Sequence, residues 1–185
     1  MTYGLLRAQT NVKDNEERNP LNTQTYESKL DEAQGFGEVW ELVKDTVRNI
    51  LGEHRVGMML FLDDLPLNVG AYHPLGTNNI VLNRAIIEIV EGVTKSRRIV
   101  NAFVYTLLLH EYLHALGHIP EPEVHSLVYQ VSKESFGEHS IVSYIAKRGL
   151  RSILENISLD RIVTPSKRAV EIVRDFDKTN HGYIS

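Results

Sequence analysis

The segment from Ile99 to Leu116, IVNAFVYTLLLHEYLHAL, contains neither glycine nor proline, and its apolar residues cover most faces of a helix. Such a helix belongs inside a core, so the other elements must wrap around it. Its most apolar window, Ile99 to Leu109, stops at His110 and Glu111 after about 11 residues. About 20 are needed to span a bilayer. With 185 residues and 21.1 kDa, the chain can bury roughly 70% of its unfolded surface around that helix without a metal staple.

The composition narrows the chemistry. The chain has no cysteine and eight histidines. That excludes a disulfide framework, a thiolate zinc site, an iron–sulfur cluster and a cysteine nucleophile. Any metal must be held by His, Asp or Glu. A net charge of −4 and a pI near 6.1 argue against nucleic-acid binding through the overall field. The N-terminal residues MTYGLLRAQTNVKDNEERN lack the apolar h-region of a secretory signal. The expectation is a soluble, cytoplasmic chain with no membrane and no nucleic-acid partner.

The periodicity predicts a single domain over residues 1–185 in three parts. Residues 1–35 are polar without a sustained period and read as an extended arm. Residues 36–118 should supply a small sheet and the apolar helix, and residues 119–185 a helical C-terminal part. In GEVWELVKDTVRNILG, residues Val39, Leu42, Val43, Val47, Ile50 and Leu51 fall on one helical stripe, with Gly52 as the stop. RVGMMLFLDDL, VGAY and NIVLN read as strands, the last two separated by HPLGTN. Helices are expected from Asn83 to Glu91, after Pro120 and Pro122 up to Gly137, from Ser140 to Ile157, and from Ser166 to Asp175.

Five of the eight histidines lie between His110 and His139, and two of them sit in HEYLH. A match to H-E-x-x-H should arise by chance on the order of a few per cent of the time. Residues i and i+4 lie one above the other on a helix, about 6 Å apart, so the imidazoles of His110 and His114 can reach one metal. Glu111 is rotated about 100° from His110, placed to accept a proton from water beside the metal.

This motif resembles that of the zincin metallopeptidases. The resemblance extends upstream over roughly Gly37 to His139, because GAYHPLGTNNIVLN sits where the zincin edge strand lies over the metal. HEYLHALG is also similar to small archaeal proteins of this type. The resemblance implies an α/β (α+β) fold in which a small mixed sheet sets its edge strand over the HExxH helix, followed by a helical part. It implies one zinc ion bound by His110 and His114, Glu111 as general base and acid, and peptide or protein substrates. Zinc would polarise the scissile carbonyl and lower the pKa of its water towards about 7.

The third ligand stays open between two residues. His118 lies about 12 Å along the helix from His110, too far to converge with it, and suits a C-terminal position facing the helix dipole. The metzincin pattern HExxHxxGxxH is matched at Gly117 and departs at Pro120. Gluzincins take a Glu from a following helix, where Glu121, Glu123 and Glu134 are available. If that helix packs antiparallel, Glu123 sits nearest the metal's level and Glu134 overshoots by roughly 10 Å. His125 shares that neighbourhood. His139, after the break at Gly137, ranks first because the chain can fold back there, and Glu123 second. Tyr72 and His73 are candidate donors to a developing oxyanion.

Other signals carry less. DFDKTNHGYIS begins like a calcium loop at Asp177 and Gly182, but Thr179 and His181 occupy ligand positions and the bidentate Glu is missing. The tail could instead dock on the body through Tyr183 and Ile184. Lys95, Arg97 and Arg98 read as a solvated turn, and Lys147, Arg148 and Arg151 as the outer face of a helix. Two other function classes compete with the peptidase. One is a metal-dependent ribonuclease with HxxxHxxxxxH spacing, which Pro120 contradicts, and the other is a non-catalytic, metal-stabilised interaction module.

Overall fold

The computed structural model describes residues 20–153 and 167–178. Six helices and a four-stranded mixed sheet make an α+β fold. In chain order they are α1 (Pro20–Glu32), α2 (Phe36–Leu51), β1 (Met59–Asp63), β2 (Ala71–Tyr72), β3 (Asn79–Asn83), α3 (Arg84–Thr94), α4 (Arg97–Leu116), α5 (Glu121–Phe136), α6 (Ile141–Arg148) and β4 (Glu171–Val173), with a 3₁₀ turn at Leu150–Ile153.

The apolar helix α4 is the centre. All five other helices and strands β2 and β3 pack against it, and between Asn101 and Leu113 only His110 is not buried. Burial on all sides is what its sequence demands, because no single face could be offered to water without exposing Leu or Phe. Tyr105 is fully enclosed and its hydroxyl lies 2.7 Å from Thr46 Oγ1 of α2. Trp40 of α2 packs between Tyr112, at 4.7 Å, and Phe176, at 4.8 Å.

The strand order is β2-β3-β1-β4. β1 and β3 run parallel, with Leu60 opposite Ile80, while β2 and β4 lie antiparallel at the two edges. Leu60, Ile80 and Leu82 point into the core. Asn83 ties the layout together. Its side-chain amide donates to the carbonyls of Leu65, Pro66 and Val69, and its Oδ1 accepts from Leu65 N and caps α3 at Ala85 N. The loop leading into β2 is thereby fixed beside α4.

Two sequence expectations need correction. Residues 20–32, read as part of an extended arm, form α1, whose Tyr26 and Leu30 are buried. The helix packs against α2, α4 and α5, although its own sequence carries weak amphipathic patterning. Residues 1–19 of that arm lie outside the described residues. Of the helix expected from Ser166 to Asp175, Ser166 lies outside the described residues and the rest instead contains strand β4, which pairs with β1 at Leu60, Phe61 and Leu62. A strand edge left open by β1 offers hydrogen bonds that override the segment's helical spacing. The C-terminal part is therefore not wholly helical. Of the helix expected from Ser140 to Ile157, α6 and the 3₁₀ turn are present and residues 154–157 lie outside the described residues.

Candidate metal centre

The HEYLH turn of α4 divides by face. Tyr112 and Leu113 are fully buried, and the Tyr112 hydroxyl accepts from Arg55 N at 2.6 Å while donating to Arg55 O at 3.0 Å. His110 and His114 point the other way, with side chains 20% and 13% exposed. Fixing Tyr112 in the core thus fixes the rotation that aims both imidazoles at one point.

The helix then ends in a Schellman turn. Gly117 takes φ +109, its N–H bonds to His114 O at 3.0 Å, and His118 N–H bonds to Leu113 O at 3.1 Å. Three residues later Pro120 caps α5 and Pro122 occupies its first turn, so the chain doubles back sharply. Glu121 is thereby returned to the level of the HEYLH turn.

Three donors converge there. His110 Nε2 and His114 Nε2 are 3.2 Å apart, Glu121 Oε1 is 3.2 Å from His114 Nε2, and Glu121 Oε2 is 3.3 Å from His110 Nε2. For metal bonds of about 2.0–2.1 Å, the edge of a coordination tetrahedron is about 3.3 Å. The His110–His114 separation matches such an edge, and the Glu121 carboxylate spans the two rings with one oxygen towards each. His114 Nδ1 lies 2.8 Å from the carbonyl oxygen of His118 and donates to it, so Nε2 is the nitrogen that faces the cluster. Burial pushes His110 down to about 4, against the pull of Glu121 and with His114 and His125 adding to the shift. Near neutrality His110 is thus a lone-pair donor facing a carboxylate, an arrangement that a cation satisfies. The donor set therefore fits a divalent metal.

His125 follows Glu121 by one turn on the same face of α5. One donor atom each from His110, Glu121 and His125 lie within 4.8 Å of one another, and the His110 and His125 ring centroids are 5.2 Å apart. The two helices thus present mirrored i, i+4 pairs, His110 with His114 and Glu121 with His125.

Glu111 is 6% exposed. Burial pushes its carboxyl up to about 8, the negative charge of Glu121 adds to this, and the backbone N–H of His73 opposes it by hydrogen bonding. That bond joins the end of β2 to the helix. The His73 ring is directed elsewhere, its Nδ1 lying 2.8 Å from Asn79 O, and Tyr72 is 43% exposed on β2. A cleft of about 430 Å³ opens beside His110, Glu111 and His125, with Gly70, Ala71 and Arg148 also among its lining residues.

The structure does not bring the two sequence-ranked third ligands to this point. His139 is exposed in the turn after α5, at the far end of a helix of 16 residues that begins with Glu121 and is about 24 Å long. Glu123 lies about 200° around α5 from Glu121 and is 2.8 Å from His118 Nδ1, while His118 Nε2 is 3.1 Å from Glu53. Glu121 takes the place expected of Glu123. A sequence signal for it exists, since Glu121 and His125 repeat the i, i+4 spacing of His110 and His114. Reading it requires knowing that Gly117 turns the chain back within three residues.

Compared with known protein families, curated proteins and solved structures, the chain matches none.

Proposed function

We propose that this protein is a zinc-dependent metallopeptidase of zincin type, in which His110, His114 and Glu121 hold the ion. The observation that carries the reading is the convergence of His110 Nε2 and His114 Nε2, 3.2 Å apart, on the Glu121 carboxylate, whose two oxygens lie 3.2 and 3.3 Å from them, with Glu111 adjoining. When bound, zinc supplies Lewis acidity, polarising the scissile carbonyl and lowering the pKa of the attacking water towards about 7.

The remaining work falls to the chain. Glu111 takes a proton from the attacking water as the carbon–oxygen bond forms. It returns that proton to the amide nitrogen as the carbon–nitrogen bond breaks. The His73 N–H favours the charged Glu111 carboxylate that the first transfer needs, as would the positive charge of a bound ion beside it, while burial favours the protonated form that the second transfer starts from. β2 is an edge strand, so an extended peptide can add to its free side with Gly70 and Ala71 alongside the cleft.

A second reading, a non-catalytic metal-stabilised module, is favoured by His125, since four protein donors would close the coordination sphere. Glu111→Gln separates the two. The peptidase reading expects loss of peptide hydrolysis with one equivalent of zinc retained, measured by metal analysis beside a fluorogenic peptide assay. A zinc-loaded wild-type protein that cleaves no peptide in a diverse library rejects it.

A further inference from the structure

Arg148 is the last residue of α6, before Gly149 turns the chain away at φ +81. The sequence places it with Lys147 on an outer helix face, where it is exposed, and the fold also sets it among the residues lining the cleft, together with Ala71 of β2 and the preceding Gly70. Lys147 points away, over the ring of Tyr129 at 5.7 Å.

Three observations bear on Arg148. Its guanidinium lies 5.2 Å from the ring centroid of Tyr144, one turn earlier on α6. That contact steadies the planar fork and leaves its N–H donors free to point outward. Among the described residues no carboxylate pairs with it, whereas Arg84, Arg98 and Arg168 each bind two. It is also the only Arg or Lys among the described residues lining the cleft, in a chain of net charge −4. Arg148 is therefore the guanidinium that the cleft lining offers to a negatively charged group of a ligand.

We propose that Arg148 is a specificity-determining residue that receives a carboxylate of the bound peptide. The inference rests on the peptidase reading for the identity of the ligand, but its test does not rest on turnover. The carboxylate has two sources, an acidic side chain or the free C-terminus, and both present the bidentate partner that a guanidinium fork matches.

The probe is a labelled peptide bound to zinc-loaded Glu111→Gln protein and followed by fluorescence anisotropy. Three versions are compared: internal Glu with an amidated C-terminus, internal Gln with a free C-terminus, and internal Gln with an amidated C-terminus. One of the first two should bind about tenfold or more tightly than the third, and which one does identifies the source. In the Arg148→Ala background that ratio should fall below about twofold, with Arg148→Lys restoring part of it. Equal binding of all three, no binding of any, or a preference that survives Arg148→Ala overturns the proposal. Hydrolysis by the wild-type protein is scored separately. Arg148-dependent binding without cleavage rejects the peptidase and keeps the carboxylate site, whereas cleavage indifferent to Arg148 does the reverse.

Discussion

The Nδ1 atom of His114 lies 2.8 Å from the carbonyl oxygen of His118, one turn further along the chain and just outside the helix. This contact sets the tautomer and orientation of a ring whose other nitrogen faces His110 and Glu121. The carbonyl reaches it only because Gly117 adopts φ +109, and the same turn leads into Pro120 and the helix bearing Glu121. Ring orientation and delivery of the carboxylate therefore share one cause.

Gly117→Ala tests that cause. A Cβ at Gly117 would meet nothing within 4 Å, so the change acts through backbone strain alone. Stability should fall by about 1–2 kcal/mol, read by denaturant unfolding, and zinc affinity by about tenfold or more, read by chelator competition. His118→Ala keeps the carbonyl and should weaken zinc binding less than Gly117→Ala does.

Among the acidic and imidazole candidates, zinc affinity should single out Glu121. Glu121→Gln is expected to weaken binding by more than the about 10- to 100-fold typical of outer-shell changes. Glu123→Gln and His139→Ala should leave affinity within about threefold, on the view that donors other than His110, His114 and Glu121 contribute little. Isothermal titration with zinc compares all three, and a large loss in His139→Ala would contradict the assignment.

A buried ion pair anchors the C-terminal segment. Lys44 Nζ is 2.9 Å from Asp177 Oδ1, with side chains 8% and 0% exposed, and Asp177 Oδ2 accepts from Met58 N at 3.2 Å. Lys44→Met removes the cation bonded to a buried carboxylate, so stability should drop by about 3–5 kcal/mol. The double variant Lys44→Met with Asp177→Leu should recover part of that loss, because it also removes the buried negative charge. Thermal unfolding of the three proteins decides the point.

Acid sensitivity should trace to Asp64. The side chain of Arg168, helped by its backbone N–H and by Arg84, holds the Asp64 carboxyl well below the usual carboxylate range. A depressed folded-state pKa contributes stability that is present above the unfolded value of about 3.9. That contribution is lost as pH falls from there through the folded value. The gap between wild type and Asp64→Asn should therefore be widest near neutrality and shrink below about pH 4. Urea midpoints at stepped pH measure it, and a gap that widens on acidification would contradict the sign.

Much of the fold was legible because period and punctuation are local. Helix α2 was expected to stop at Gly52, and it does so with Gly52 at φ +72. The strands MLFLD, AY and NIVLN fall within the runs that suggested them. The segment 167–175 was misread because its pattern suits a helix in isolation, and only β1's open edge makes extension the better choice. α1 was missed because weak amphipathicity leaves little trace in sequence. Arg148 is exposed, as its outer-face position suggested, but nothing local reveals that the end of α6 also borders the cleft.

By itself the sequence determined that one apolar helix would be central, that any metal would be held by His and carboxylate donors, and that His110, Glu111 and His114 would occupy adjacent faces of one turn. These are consequences of composition and of a 3.6-residue period. The tertiary structure alone decided that Glu121 and His125, not Glu123 or His139, face that turn. The physical reason is that a positive-φ glycine and two prolines reverse the chain within three residues, and a helix of fixed pitch then assigns each following side chain its direction.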